Sequence, residues 1–330
     1  MPNIYPGGPV HRAGTRAETR RGGAGHARIV EAKQMDYPLV IGIELGGTKC
    51  FAVLARGTDV LCEARVPTTV PGETLAALSR AIDGWGVPTV AAIGVGAFGP
   101  VALDPARADY GRMLATPKPG WQDTDVLWPF RRAGVAIAID SDVGAAALAE
   151  GRWGAARGCG THAYVTVGTG IGVGLVANGA TVRGFLHPEF GHLRVRRLPG
   201  DHFAGICPWH GDCVEGLASG TAIAARAGRP GDVLAADDPV WELVAADLAE
   251  MVAALLLAAA PERIVFGGGV GLGQGAHLLP RVRAGVAARL NGYLPLARAG
   301  GVDAIIVAAG LAERAGPLGC VALALGAIGR

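Results

Sequence analysis

Three glycine-rich loops, each beside an apolar segment typical of a β-strand, constrain the fold of this chain more than any other feature. They lie within residues 39–53, 165–174 and 264–270. Because glycine has no side chain, such a loop lets backbone N–H groups approach a phosphate closely. One loop would be a weak signal, but three well-separated loops at strand ends predict a cleft that holds one nucleotide from several sides.

Length and composition limit the possible classes of protein. With 330 residues, half of them hydrophobic, the chain can form one large or two modest domains. A net charge of +2 gives no argument for a nucleic-acid partner, and no apolar run approaches the roughly 18 residues of a membrane helix. The six cysteines show no disulfide-framework spacing. We therefore expect a cytoplasmic protein that binds neither nucleic acid nor membrane.

The order of predicted elements indicates two related α/β units that face a cleft. From residue 39 and again from residue 162, the pattern runs strand, strand, strand, helix, strand, helix. A continuous helix is predicted at 215–226, and Asn178-Gly179 predicts a hairpin turn. We expect an N-terminal lobe at 37–140 and a C-terminal lobe at 141–310.

Three segments complete this division of the chain. Residues 1–36 are rich in arginine, glycine and proline, and we expect a disordered tail or a start-site error, since Met35 lies just before the first strand. Residues 187–213 form a loop of the second lobe with few apolar residues. The last predicted helix, about 311–330, is free to pack back on the N-terminal lobe.

A cluster of soft ligands lies in the loop 187–213. Cys207, His210 and Cys213 recur at a three-residue spacing in CPWHGDC, and thiolates with imidazole at such spacing suit tetrahedral zinc. His192 is the natural fourth ligand, since it lies shortly before the cluster. Weaker alternatives for this position are His187 and His202. Four filled protein positions predict a structural Zn²⁺.

Isolated acids have positions suited to catalysis or sugar binding. Asp142 follows a predicted buried strand and starts a helix, where it is either an N-cap or a general base that takes the proton of an attacking hydroxyl. Asp140 is the alternative candidate for the general base. Glu189 and Glu215 flank the cysteine cluster, and carboxylates accept several hydrogen bonds from sugar hydroxyls. Glu215 also suits the first turn of a helix, where it would stabilise the helix dipole.

Two familiar nucleotide motifs are excluded by context. The first loop, GGTK at 46–49, lacks the spacing of the P-loop consensus. The second, GTGIG at 168–172, runs from strand to strand, whereas a dinucleotide fingerprint runs from strand to helix. The loops retain the backbone chemistry for phosphates but belong to neither of these classes.

Eight short motifs are distributed along the chain. They are ELGGTK at 44–49, GVGAFGPV at 94–101, ATPKPGW at 115–121, SDVGAAALAEG at 141–151, TVGTGIGVG at 166–174, HPEFGH at 187–192, CPWHGDCVEGLASG at 207–220 and FGGGV at 266–270. Together they resemble the ROK family of sugar kinases, and most of all its zinc-containing fructokinases. The resemblance covers about residue 39 to the C-terminus. It implies a two-lobed, actin-like ATPase (ribonuclease H-like) α/β fold with mixed sheets, flanking helices and a cleft between the lobes.

The resemblance also implies an activity and a set of site residues. The activity is ATP-dependent phosphorylation of D-fructose at its 6-hydroxyl, with Mg²⁺ accompanying ATP, a structural Zn²⁺ and a homodimeric state. Asp142 matches the catalytic base. The ATP-binding positions are Gly46, Gly47, Thr48, Lys49, Gly168, Thr169, Gly170, Gly267, Gly268 and Gly269. The sugar-binding positions are Gly99, Pro100, Ser141, Glu189, His192 and Glu215, and the zinc ligands are His192, Cys207, His210 and Cys213.

One position departs from the family pattern. The asparagine that commonly stands two residues after the base, where it contacts the sugar, is Gly144 in this chain. A lost hydrogen bond to a buried hydroxyl costs about 1–3 kcal/mol. The departure therefore leaves three readings: another group substitutes, the preferred sugar differs, or the activity is weak.

Other functions within the same family remain as alternatives. A glucokinase, mannokinase or N-acetylhexosamine kinase is the nearest, although such kinases usually carry a CxCGxxGC cluster where this chain has CPWHGDC. A transcriptional repressor needs a helix-turn-helix domain, for which some 36 residues before the first strand are too few. A sugar-binding protein without catalysis is the third alternative, and loss of turnover on changing Asp142 would distinguish it from an enzyme.

Overall fold

In the computed structural model, which describes residues 37–330, the first apolar segment becomes the central strand of a five-stranded mixed sheet. The strands are β1 (Val40–Leu45), β2 (Lys49–Arg56), β3 (Asp59–Pro67), β4 (Ala92–Ala97) and β5 (Ala136–Ser141). Their order is β3-β2-β1-β4-β5. Strand β2 pairs antiparallel with β1 and with β3, whereas β4 pairs parallel with β1 and with β5. The predictions made for residues 1–36 lie outside the described residues.

A second five-stranded sheet repeats this arrangement. Its strands are β6 (Thr161–Val167), β7 (Ile171–Ala177), β8 (Ala180–Thr181), β9 (Arg263–Gly267) and β10 (Ile306–Ala308). The order β10-β9-β6-β7-β8 again places the first strand in the centre, two antiparallel strands on one side and two parallel strands on the other. The predicted repetition of an α/β unit with a mixed sheet is confirmed.

Local turn chemistry explains the hairpin at the edge of the second sheet. Asn178 and Gly179 both have positive φ, at 53° and 78°, the combination that a two-residue hairpin turn requires. The turn pairs Ala177 with Ala180 and Val176 with Thr181. The hairpin predicted from the Asn-Gly pair is therefore present, and it carries β8 to the edge of the sheet.

Helices cover the sheets and connect their strands. They are α1 (Pro71–Gly84), α2 (Asp142–Trp153), α3 (Val214–Ala218), α4 (Gly220–Ala227), α5 (Val240–Ala259), α6 (Gly268–Gly273), α7 (Gly275–Leu290), α8 (Val302–Ile305) and α9 (Ala315–Gly326). The prediction of one helix at 215–226 is wrong. Ser219 separates α3 from α4 because its side chain accepts the Ala222 amide and caps the second helix.

Each sheet has its own apolar core, and two helices link them. In the core of the second sheet, the strands pack with α5 and α7, and Trp241 and Phe266 are completely buried. Helix α2 contacts strands of both sheets, and α9 packs on β1, β4 and α2. An added Cβ at Gly94 would collide with the carbonyl of Cys320, so glycine permits this close approach of α9 to the first sheet. Within residues 37–330, no helix has the length and apolar content needed to cross a membrane.

Candidate active site

A cleft of about 1450 Å³ receives the ends of strands from both sheets. All three glycine loops line it: the β1–β2 turn, the β6–β7 turn and the start of α6. The predicted ATP-binding residues on its wall are Gly46, Gly47, Thr48, Lys49, Gly168, Thr169, Gly170, Gly268 and Gly269. Gly267 is not among the lining residues, because it ends β9 against the ring of Tyr164.

The second glycine loop is fixed by the helix that follows the cysteine cluster. The Gly220 amide donates to the Gly168 carbonyl at 2.7 Å, and the Thr221 hydroxyl donates to the Thr169 carbonyl at 3.0 Å. Both donors belong to the first residues of α4. These contacts hold the carbonyls of the loop in place before any phosphate binds, so the backbone of the loop is already ordered.

Asp142 occupies the first turn of α2, directly after the parallel strand β5. Ser141 caps this helix by accepting the Gly144 amide at 3.0 Å, and Asp142 Oδ1 accepts the Val143 amide at 2.8 Å. Both Ser141 and Asp142 line the cleft. Desolvation raises the pKa of Asp142 to about 6. The carboxylate is thus ionised at neutral pH, with the increased basicity expected of a general base.

A second carboxylate, Glu44, lies in the cleft and was not among the predicted site residues. Burial, with the nearby negative charge of Asp142, raises the pKa of Glu44 to about 7, while Lys49 acts in the opposite direction. The sequence signal was a charged residue inside the otherwise apolar strand VIGIEL. Lys118 was also missed: it lines the cleft from the loop after β4, with Nζ 5.9 Å from the Phe98 ring.

Opposite the first glycine loop, the segment from residue 187 supplies a histidine and a carboxylate. His187 Nδ1 lies 3.4 Å from Glu189 Oε1, and the His187 ring packs beneath Gly99, where an added Cβ would lie 2.8 Å from Nε2. Burial lowers the pKa of His187, because a charged ring would lose hydration at this position. Gly99 and its neighbour Pro100 also line the cleft.

A further carboxylate, Glu215, flanks this region and acts on Glu189. Burial, together with the charges of Asp142 and Glu215, raises the pKa of Glu189 to about 7. Glu215 Oε2 accepts the Ile171 amide at 3.1 Å, which fixes this carboxylate beside the second glycine loop. Glu189, His192 and Glu215 all line the cleft, so the predicted sugar-binding residues share one wall with the predicted base.

The four predicted metal ligands lie together next to that wall. His192 Nδ1 is 3.6 Å from Cys207 Sγ and 3.5 Å from Cys213 Sγ, and His210 Nδ1 is 3.7 Å from Cys207 Sγ. All four ligand atoms lie within 4.8 Å of one another. Tetrahedral zinc with ordinary Zn–S and Zn–N bonds separates S and N ligands by about 3.6 Å, so the donor set fits this ion. Neither predicted alternative, His187 or His202, belongs to the group.

Backbone contacts build the loop that holds this cluster. Cys207 and Gly211 exchange two backbone hydrogen bonds, at 3.1 and 2.9 Å, and the Val214 amide donates to the Leu193 carbonyl at 3.0 Å. Gly211 has a φ of 65°, and an added Cβ at Gly216 would collide with its carbonyl. The turn therefore depends on glycine at two points and brings ligands distant in sequence to one place.

The structure gives a local reason for glycine at position 144. This residue lies in α2 outside the lining of the cleft, and an added Cβ would lie 2.5 Å from Asp140 Oδ1 and 2.9 Å from Ser141 Oγ. A side chain at this position would begin beside the side chains of Asp140 and Ser141, and Ser141 itself lines the cleft. Glycine thus leaves room for the Asp140 carboxylate, and the effect of the missing asparagine on sugar binding stays a prediction to test.

Comparisons with known proteins agree with this geometry. The chain matches the ROK family over residues 40–327. It is 43% identical over 294 residues to a fructokinase of Zymomonas mobilis, covering 86% of this chain and 96% of the relative. It is 38% identical to a fructokinase of Pediococcus pentosaceus, covering 88% and 99% of the two chains.

A solved structure gives the same result for the fold. The ROK family glucokinase of Streptomyces griseus, in complex with glucose and AMPPNP, is similar with a TM-score of 0.69 and 27% identity, over 87% of this chain and 99% of the other. The predicted actin-like ATPase fold with two mixed sheets is confirmed by this similarity. The family match, the relatives and the cleft lead to one conclusion: the chain belongs to the ROK family.

Proposed function

We propose that this chain transfers the γ-phosphoryl group of ATP to the 6-hydroxyl of D-fructose. The observation that carries the proposal is the position of Asp142, whose carboxylate shares one cleft with all three glycine loops and with Glu189 and Glu215. The similarity to two fructokinases over most of the chain supports fructose as the sugar.

In the proposed reaction, Asp142 is the general base. Its ionised carboxylate accepts the proton of the 6-hydroxyl as that oxygen attacks the terminal phosphorus of ATP. The raised pKa of this group supports the role, because a base works best when its pKa is near the working pH. Glu189 and Glu215 accept hydrogen bonds from other sugar hydroxyls and so orient the attacking oxygen.

The glycine loops hold the other substrate. Backbone amides of the loop at 46–49 and those of Thr169 and Gly170 bind phosphate oxygens, and the cation of Lys49 offsets part of their charge. The Gly168 amide instead donates to the Gly170 carbonyl at 2.9 Å and so holds the second loop. Glu44 would hold Mg²⁺, because its carboxylate lies in the cleft beside the first loop and Mg²⁺ prefers oxygen ligands. Bound together with ATP, Mg²⁺ would offset part of the phosphate charge. Closure of the two predicted lobes would exclude water, which competes with the sugar as acceptor.

The cysteine cluster is proposed to hold a structural zinc ion. Its four protein ligands leave no open position, as in structural rather than catalytic sites. Since His192 directs Nδ1 at the two sulfurs, its proton stays on Nε2. His192 also lines the cleft, so Nε2 becomes a fixed donor for a sugar hydroxyl. A homodimeric state and a cytoplasmic location, both expected from the sequence, are part of the same proposal.

Glucose is the second candidate sugar, favoured by the similarity to a glucokinase solved with glucose and AMPPNP. The test is ATP consumption by the purified chain with fructose, mannose, glucose and N-acetylglucosamine in parallel. We expect the highest kcat/KM with fructose. A higher value with another sugar would identify that sugar, instead of fructose, as the preferred substrate. Sugar binding without ATP consumption for any of the four would contradict an enzymatic role.

A further inference from the structure

A second cavity, of about 700 Å³, shares no lining residue with the catalytic cleft. Its walls come from the edge strands of the two sheets, β5 and β8, and from the helices α2 and α9. This volume lies within the range of small-molecule sites. The cavity has no role in the proposed transfer of phosphate, so its side chains require another explanation.

The polar groups on its wall suit an anion that carries hydroxyl groups. Three arginines, Arg152, Arg183 and Arg330, line the cavity, while Asp140 is the single acid among the lining residues. Arg183 is exposed, and among residues 37–330 its Nη1 makes a long contact of 3.4 Å with the Leu103 carbonyl. A guanidinium in this position is suited to a phosphate or carboxylate.

A buried histidine supplies an acceptor that nothing in the described chain satisfies. His162 is 3% exposed, and its Nε2 lies 2.9 Å from the Ala147 carbonyl, which requires the proton to be on Nε2. Its Nδ1 is therefore a lone-pair acceptor, and it has no hydrogen-bond partner. Because an unpaired buried acceptor is costly, a hydroxyl donor at this point would be favoured. Tyr110 and Thr181 line the same cavity.

The cavity wall is connected to the catalytic base by consecutive residues. Asp140 Oδ2 accepts the Thr181 hydroxyl at 2.5 Å, which joins β5 of the first sheet to β8 of the second. Asp140 Oδ1 accepts the Ser141 amide at 2.7 Å, and Ser141 caps the helix that begins with Asp142. A ligand that contacts Asp140 or Thr181 would therefore act on the position of Asp142.

Helix α2 provides a second connection between the two cavities. Asp142 lies in the catalytic cleft, and Gly151 and Arg152 at the other end of the same helix line the second cavity. Ten residues of helix separate these ends by about 15 Å. Since a packed helix moves as a unit, a ligand bound at its C-terminal turn is mechanically linked to the base at its N-terminal turn.

We propose that the second cavity binds a sugar phosphate and thereby regulates phosphoryl transfer. The anion is bound by Arg183 and Arg152, and hydroxyl groups are bound by His162 Nδ1 and Asp140. The choice of D-fructose 6-phosphate as the probe rests on the proposed function, because this compound is the expected product.

The experiment measures binding of D-fructose 6-phosphate by calorimetry while saturating fructose and AMPPNP block the catalytic cleft. We expect one molecule bound per chain, with affinity at least tenfold weaker in Arg183→Ala and in His162→Phe. Arg157→Ala, which removes an exposed arginine outside the cavity, is the matched control and should bind normally. Glu215→Ala, which alters the catalytic cleft, should also retain this binding.

Kinetics supply the test of regulation. D-fructose 6-phosphate should change kcat, and not only the KM for fructose, and this effect should disappear in Arg183→Ala while its kcat without the ligand stays at the wild-type value. Three results would overturn the proposal: no binding to the blocked protein, loss of binding in Glu215→Ala but not in Arg183→Ala, or equally tight binding of inorganic phosphate alone. Since binding is measured without turnover, failure of the proposed fructokinase activity would be seen separately in the sugar panel.

Discussion

The Glu215 carboxylate accepts a hydrogen bond from the backbone amide of Ile171 at 3.1 Å, and so joins the segment after the cysteine cluster to the second glycine loop. Gly170 makes room for this contact, because an added Cβ there would lie 2.5 Å from Glu215 Oε2. The wall proposed to bind sugar and the loop proposed to bind phosphate are therefore parts of one hydrogen-bonded unit.

A substitution of Glu215 should therefore weaken the binding of both sugar and ATP. We expect Glu215→Ala to raise the KM for sugar and for ATP, with a combined loss of kcat/KM of ten- to a hundredfold, since a charge-assisted hydrogen bond contributes about 1.5–3 kcal/mol. Glu215→Gln keeps an acceptor for the Ile171 amide and should spare the KM for ATP. Steady-state kinetics with each substrate varied gives the answer. Glu313→Ala, which removes an exposed acid outside the cleft, is the control; an unchanged KM for ATP in Glu215→Ala would disprove the link.

Asp142→Asn should reduce turnover by about two to four orders of magnitude, the usual contribution of a general base. Sugar binding should persist, because the amide has the same shape and leaves Ser141 to cap the helix. The measurements are kcat with ATP and sugar affinity by calorimetry. Unchanged turnover would mean that Asp142 has only a structural role at the start of α2.

The pH dependence should report the carboxylates of the cleft. The pKa values of Asp142 and Glu189 are raised to about 6 and about 7, so lowering the pH through these values protonates first Glu189 and then Asp142. Because the carboxylates act only when ionised, kcat/KM should be full only well above pH 7, fall through pH 7 as Glu189 is protonated, and fall further near pH 6 as Asp142 is protonated. A profile that is flat down to pH 5 would contradict the role of these groups. Glu189→Gln should reduce the upper part of the decline, and the part that remains near pH 7 belongs to Glu44, whose pKa is also raised to about 7.

The local parts of this fold were predictable because their causes are local. Apolar runs with flanking glycines predicted the strands, and Asn178-Gly179 predicted its hairpin since both residues tolerate positive φ. The break at Ser219 was missed because a serine cap competes with helix continuation through a single side-chain contact.

The parts that depend on tertiary packing were predictable only to a limited extent. The spacing of CPWHGDC indicated three ligands, but the approach of His192 to them depends on how the loop folds. Glu44 opens the first motif, ELGGTK, but no site role was predicted for it, because its raised pKa depends on burial and on Asp142, which the fold brings near. No sequence pattern indicated the second cavity, since its walls come from strand edges of two different sheets.

Removal of the metal should weaken the loop and, through it, the sugar site. We expect about one zinc per chain by elemental analysis, because four ligands at these distances fill a structural site. Cys213→Ser or prolonged chelation should lower the melting temperature and raise the KM for sugar more than the KM for ATP, since the loop carries Glu189 and His192. Cys62→Ser, in β3 and outside the cluster, is the matched control. Metal-free protein with unchanged stability would exclude a structural metal.

Gly144 provides a test of whether the missing asparagine matters to the sugar. If position 144 faced the sugar, Gly144→Asn would restore a hydrogen bond and lower the KM. The structure leads to the opposite expectation, since the new Cβ would lie 2.5 Å from Asp140 Oδ1, a buried atom already fixed by the Ser141 amide. We expect a loss of about 1–3 kcal/mol in unfolding free energy, as for overpacking elsewhere, and no decrease in the KM for sugar. Urea denaturation and kinetics measure the two effects, with Gly84→Asn, at a helical glycine with open space around it, as the control. A stable variant with tighter sugar binding would show instead that the asparagine side chain reaches the cleft.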